Sequence, residues 1–162
     1  MPAKKESGIT RKAIGVLTVL LVIFILIMMR LVSGIQGTAR VVNYAGLVRG
    51  GTQRWIKMEI TGNPRDKMME AVESYIDGLQ NGSEDLGLVR LKDAKYQAKV
   101  EEQKEYFQKL KEEVQHVRES GYYNTNIIED SETFFQICDD ATGLAEAYSQ
   151  RKASQLDILE KW

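Results

Sequence analysis

The sequence predicts an all-α protein: an N-terminal transmembrane helix that continues into an up-down-up-down four-helix bundle. Three observations carry this. Ala13 to Met29, "AIGVLTVLLVIFILIMM", is uncharged and apolar over 17 residues, long enough to span a bilayer with modest help from its flanks. Further on, apolar residues recur every three or four positions in four successive stretches, as amphipathic helices require. The composition, with 2 prolines in 162 residues and frequent Glu, Lys, Gln, Ala and Leu, favours helix throughout.

The anchor comes first. Lys4, Lys5, Arg11 and Lys12 precede it, whereas Arg40 and Arg49 are the next basic residues beyond the boundary Arg30. The positive-inside bias therefore predicts a cytoplasmic tail over residues 1–12, a membrane span over 13–32 and an extracytoplasmic bundle over 33–162. This is a single-pass protein of the cell (inner) membrane. A cleaved signal peptide is the competing reading, but its apolar region would be shorter, and no clear A-x-A site follows.

Helix 1 continues from the anchor to about Thr61 and stops at "TGNP", where Gly62 and Pro64 terminate it. Helix 2 starts at Pro64, with Met69, Val72, Ile76 and Leu79 inward, and ends at "NGS". The loop "EDLGLVRLK" packs its leucines and valine across an end of the bundle. Helix 3 runs from about Asp93 to Ser120 with an inward stripe of Tyr96, Val100, Gln103, Phe107, Leu110, Val114 and Val117. Its opposite face, with Glu101, Glu102, Lys104, Lys109, Lys111 and Glu112, is a solvated surface of weak ion pairs. Helix 4 runs from about Thr125 towards Trp162, burying Ile127, Phe134, Cys138, Ala141, Ala145 and Tyr148. Its length returns it to the membrane, where Trp162 suits the boundary with water.

The charge balance excludes one class of partner. With 22 basic and 23 acidic side chains interspersed, there is no basic stripe to neutralise a nucleic-acid backbone. One cysteine, Cys138, and one histidine, His116, rule out a disulfide framework or a Cys/His metal cluster within one chain. Cys138 reads as a buried thiol and His116 as a solvated or hydrogen-bonded side chain. Catalysis finds no support either. The chain lacks a Ser/His/Asp set, an HExxH motif and a second histidine, and "RGGTQR" lacks the strand-to-helix context of a phosphate loop. No cofactor is expected.

The stretch "NYAGLVRGGTQRWIK", residues 43–57, carries two arginines and adjacent glycines in a helix, although glycine there costs about 1 kcal/mol relative to alanine. Val41, Tyr44, Val48 and Trp55 form the stripe assigned to the core. Arg49 lies about 110° from it, beside Val42, Ala45, Gly46, Thr52, Gln53 and Ile56, a surface of mostly small side chains that a second helix can approach. Arg54 lies on the other flank with Asn43, Leu47 and Gly50.

Asn43, Ala45-Gly46, Arg49 and Thr52-Gln53-Arg54 resemble the "N-x-A-G-x-x-R-x-x-S-Q-R" helix of bacterial extracytoplasmic sensor bundles. These include the sensor domains of nitrate/nitrite-responsive histidine kinases and of type IV pilus chemotaxis transducers. The likeness is specific over about a dozen residues; Gly50 and Thr52 stand where the pattern carries methionine and serine. It implies a homodimer through helix 1, with Arg49 meeting its symmetry mate around a small anion. A guanidinium suits planar oxyanions because it donates two parallel hydrogen bonds. The ligand set implied is Arg49, Gly46, Gln53, Thr52, Asn43 and Arg54. The expected function is the sensory input module of a transmembrane receptor whose kinase, cyclase or chemotaxis output lies beyond these residues. The alternative is an anchored accessory or scaffold bundle that pairs with a membrane partner and binds nothing small. Without the resemblance, Arg49 is a solvated helix residue and the glycines serve tight packing.

Overall fold

The computed structural model describes residues 3–160, and the side chains of residues 8–155. The chain forms helices α1 (Ala3–Ile60), α2 (Asp66–Asn81), α3 (Ala94–Ser120) and α4 (Ile127–Glu160), with a short 3-10 turn at Tyr122–Asn124. Among the described residues there is no β-strand, so the protein is all-α. Trp162 lies outside the described residues. The chain divides into two units, residues 1–35 and 36–162.

In the first unit, α1 holds a segment long and apolar enough to cross a membrane, and none of that stretch is buried within the protein. Val16, Leu20, Phe24 and Ile27 are among its exposed side chains. Residues 3–12, expected as a tail, are helical and belong to α1.

In the second unit the core is built from heptad-like seams. On α1, Thr38, Val41, Ala45, Val48, Thr52, Trp55 and Glu59 are buried at alternating spacings of three and four. On α3 the buried residues are Tyr96, Val100, Gln103, Phe107, Leu110, Val114 and Val117, as the sequence predicts. On α4, Ile127, Ser131, Phe134, Cys138, Ala141 and Ala145 are buried, while Tyr148 is only half-buried. Val72, Ile76 and Leu79 of α2 complete the set. Contacts between α1 and α4 run in opposite senses: Thr38 bonds Ser149, Arg49 bonds Asp139, and Gln53 donates to the Ser131 carbonyl. Glu73 and Asp77 of α2 meet Lys111 and Lys104 of α3, again in reverse order.

Two helix starts differ from the sequence reading. α2 begins at Asp66 rather than Pro64, because Arg65 takes the non-helical φ of −135° and ψ of 67° of an N-cap and its carbonyl accepts the first bonds of the helix, while its N–H donates to Glu59 Oε1 at 3.3 Å. α4 begins at Ile127, after the 3-10 turn and an extended Thr125. The start of α3 is as expected: Asp93 Oδ1 accepts from the Tyr96 N–H at 3.0 Å, satisfying one of the free donors of the first turn. In the α2–α3 loop, Ser83 and Leu88 exchange backbone hydrogen bonds of 2.9 and 2.7 Å. Leu88 and Leu91 are buried as anticipated, but Val89 is 45% exposed. Gly87 holds φ at 62° under the Arg40 side chain, whose Nη1 donates to the Leu86 carbonyl at 3.1 Å. A side chain at residue 87 would strike that arginine.

Candidate functional site

The stretch 43–54 does not gather its residues into one pocket; the structure distributes them over four environments. Arg49 and Gln53 face α4. The Arg49 guanidinium forms an ion pair with Asp139 and lies 5.5 Å from the centre of the Phe135 ring. Its side chain remains 36% exposed. Gln53 Nε2 donates to the Ser131 carbonyl at 3.4 Å.

Thr52 is in the core, and so are its neighbours Ala45 and Ile56. Much of the surface expected to admit a second helix is therefore buried within this chain: Ala45, Thr52 and Ile56 lie in the core, and Gln53 bonds to α4. The buried seam is rotated towards Arg49 relative to the stripe read from Val41, Tyr44, Val48 and Trp55. Tyr44 is half-buried at its edge, in T-shaped contact with Tyr75 at 5.1 Å. A tyrosine tolerates that edge because its ring is apolar and its hydroxyl is wet.

Gly46 and Arg54 line a shallow groove of about 380 Å³ between α1 and α2, with Gly50, Gly51, Ala71 and Tyr75. Asn43 is exposed. The glycines serve different ends. A Cβ on Gly51 would fall 2.9 Å from Val72 Cγ2, so Gly51 lets the two helices approach, whereas a Cβ on Gly46 or Gly50 meets nothing within 4 Å. Gly46→Ala and Gly50→Ala are each expected to raise stability by up to about 1 kcal/mol, and Gly51→Ala to lower it. Thermal melts of the three variants check this contrast.

Three charged features escaped the sequence reading. Glu59, with a side chain 0% exposed, is held by Arg118; its place on the α1 seam, seven residues after Thr52, was the available signal. Asp130 is buried, with Tyr106 Oη and Lys109 Nζ donating to its Oδ1 at 2.9 and 2.7 Å. Lys104, Lys109 and Lys111 make the ion pairs expected of that solvated face, but their partners lie on α2 and α4, so the pairs bridge α3 to its neighbours. Lys111 and Gln108 also hydrogen-bond Glu73 and hold its carboxyl below the usual range.

Cys138 is buried as expected, and burial pushes its thiol up to about 12, which suits an inert thiol rather than a nucleophile. His116 is exposed beside a polar hollow of about 350 Å³ that also includes Glu113 and Asn126. Comparison with protein families, curated proteins and solved structures finds no match.

Proposed function

We propose that the chain is the membrane-anchored, extracytoplasmic input module of a bacterial signal-transduction receptor, an up-down-up-down bundle carried on an N-terminal membrane helix. The observation that carries this reading is the apolar stretch of α1, none of whose residues is buried within the protein. A helix apolar on every side needs a nonaqueous environment. The same helix, α1, goes on to carry the buried seam from Thr38 to Glu59, so a displacement of that seam can pass into the membrane segment.

Arg49 is the residue through which an anion would act. Its half-exposed guanidinium already holds a carboxylate, that of Asp139, and a planar oxyanion presents the same two acceptor oxygens. Binding would replace the Asp139 carboxylate and loosen α1 from α4. The homodimer through α1 belongs to this reading, with the anion bridging the symmetry-related arginines once it has displaced their Asp139 carboxylates.

Thermal melts of the full chain in detergent, with nitrate, nitrite, sulfate and small carboxylates, test it. An anion at a hundred times its dissociation constant is expected to stabilise by about 2.7 kcal/mol. Arg49→Ala abolishes the response, and Asp139→Asn, which removes the competing carboxylate, strengthens it. If wild type ignores every anion, or Arg49→Ala responds equally, the sensing mechanism fails. Separately, a reporter fused after Trp162 is expected to be active only outside the cytoplasm, and cytoplasmic activity would reverse the topology.

The internal partner of Arg49 favours a second reading, an anchored accessory or scaffold bundle that binds nothing small. An arginine already neutralised within its own chain needs no external anion. The reporter result is the same for both readings, and the anion melts separate them.

A further inference from the structure

The turn from α3 into α4 holds a polar hollow of about 350 Å³ that the anion mechanism leaves unused. Among the described residues that line it, Glu113 is the one carboxylate, and no lysine or arginine is present. Glu113 Oε2 is shielded from solvent and has no hydrogen-bond partner. A carboxylate oxygen cut off from water and given no donor is costly. The same helix supplies no counter-ion, because its Lys109, Lys111 and Arg118 are paired with Asp130, Glu73 and Glu59.

The rest of the lining is rich in acceptors, for a reason visible in its hydrogen bonds. Ser120 Oγ donates to the His116 carbonyl at 2.8 Å, Asn124 Nδ2 to the Ser120 carbonyl at 2.9 Å and Thr125 Oγ1 to the Tyr122 carbonyl at 2.8 Å. Each side chain directs a donor to the backbone and keeps an oxygen that can accept. The hollow also adjoins the C-terminal end of α3, where the helix dipole favours positive charge. Tyr123, 85% exposed and stacked on Tyr122 with ring centres 4.0 Å apart, adds an aromatic face of the kind that attracts cations.

We propose that this hollow binds a small hydrophilic organic ammonium ion, with Glu113 as its counter-ion and the Ser120 and Asn124 side-chain oxygens as acceptors for its N–H and O–H groups. The terminal torsion of a glutamate is soft, so either carboxylate oxygen can turn to the ligand. A metal ion is the poorer fit: Glu113 and His116 stand one turn apart on α3, but among the described residues no third His, Cys, Asp or Glu gathers with them. The site shares no residue with the Arg49–Asp139 pair and stands or falls independently of it.

Calorimetric titration of the full chain in detergent tests this with ethanolammonium, its neutral counterpart ethylene glycol, and tetramethylammonium, a cation without N–H groups. Ethanolammonium is expected to bind saturably and the other two more weakly. Glu113→Gln, which keeps the shape and removes the charge, is expected to weaken ethanolammonium about tenfold or more, and Tyr123→Ala about two- to fivefold, while Arg49→Ala binds it as wild type does. Without ligand, Glu113→Gln is expected to melt no lower than wild type, since the fold makes no use of that charge. The proposal is overturned if ethanolammonium does not bind saturably, if Glu113→Gln binds it equally or melts lower, if ethylene glycol or tetramethylammonium binds as tightly, or if zinc chloride binds and excludes it.

Discussion

Glu59→Ala is expected to cost about 3 to 5 kcal/mol, the range for removing one partner of a buried ion pair. The Glu59 side chain is 0% exposed, and four donors converge on it. Trp55 Nε1 donates at 2.9 Å, Arg118 Nε and Nη2 at 2.9 and 2.7 Å, and the Arg65 N–H at 3.3 Å. Alanine strands these donors where the end of α1, the start of α2 and the end of α3 meet. Arg118 retains Asp66 at 2.6 Å, but Asp66 is 60% exposed and adds little.

The same carboxylate makes stability depend on acid. Burial pushes the Glu59 pKa up, but hydrogen bonds from Arg118, the Arg65 backbone and Trp55 together hold it below its ordinary value of 4.5. A pKa depressed by folding contributes stability that is complete above the unfolded value and is lost as pH falls through the folded one. The wild-type melting temperature should therefore drop more steeply below about pH 4.5 than that of Glu59→Gln, as followed by far-UV circular dichroism. An unchanged melting temperature in Glu59→Ala, or parallel acid profiles, would show that the network contributes nothing.

Periodicity made the helices legible, and the reason shows in α3: all seven residues of its predicted stripe, Tyr96 to Val117, are the ones it buries. A seam of large apolar residues every three or four positions fixes a helix's phase without knowledge of its neighbours. α1 was harder because its seam mixes Ala45, Thr52 and Glu59 with Val41, Val48 and Trp55. Small and polar residues carry little weight in a hydrophobic pattern, so the apolar stripe runs through Tyr44 and faces away from α4.

The Arg49 site was legible as an exposed cation and no further. Its partner Asp139 is 90 positions away, and only the packing of α1 on α4 brings them together. Glu59 was missed for a related reason: a glutamate near a helix end is ordinarily solvated, and Arg118, 59 positions on, is what permits its burial. The two halves of the glycine puzzle were likewise inseparable in sequence, because nothing local tells Gly51, pressed on Val72, from Gly50, which faces open space.

Phe107→Ala is expected to cost about 3 to 5 kcal/mol, the range for deleting a buried aromatic ring, and to lower the melting temperature by roughly ten degrees. Phe107 is 1% exposed and lies between Trp55 at 5.5 Å and Phe134 at 5.8 Å, so the cavity opens where α1, α3 and α4 meet and no backbone is free to collapse into it. Phe134, also 1% exposed, should give a loss in the same range. The informative measurement is the Phe107→Ala/Phe134→Ala double variant. Rings in contact share one cavity when both are removed, so the combined loss should differ from the sum of the single losses by about 0.5 to 3 kcal/mol. A single-variant melting temperature equal to wild type, or strict additivity, would mean that these rings do not share a core.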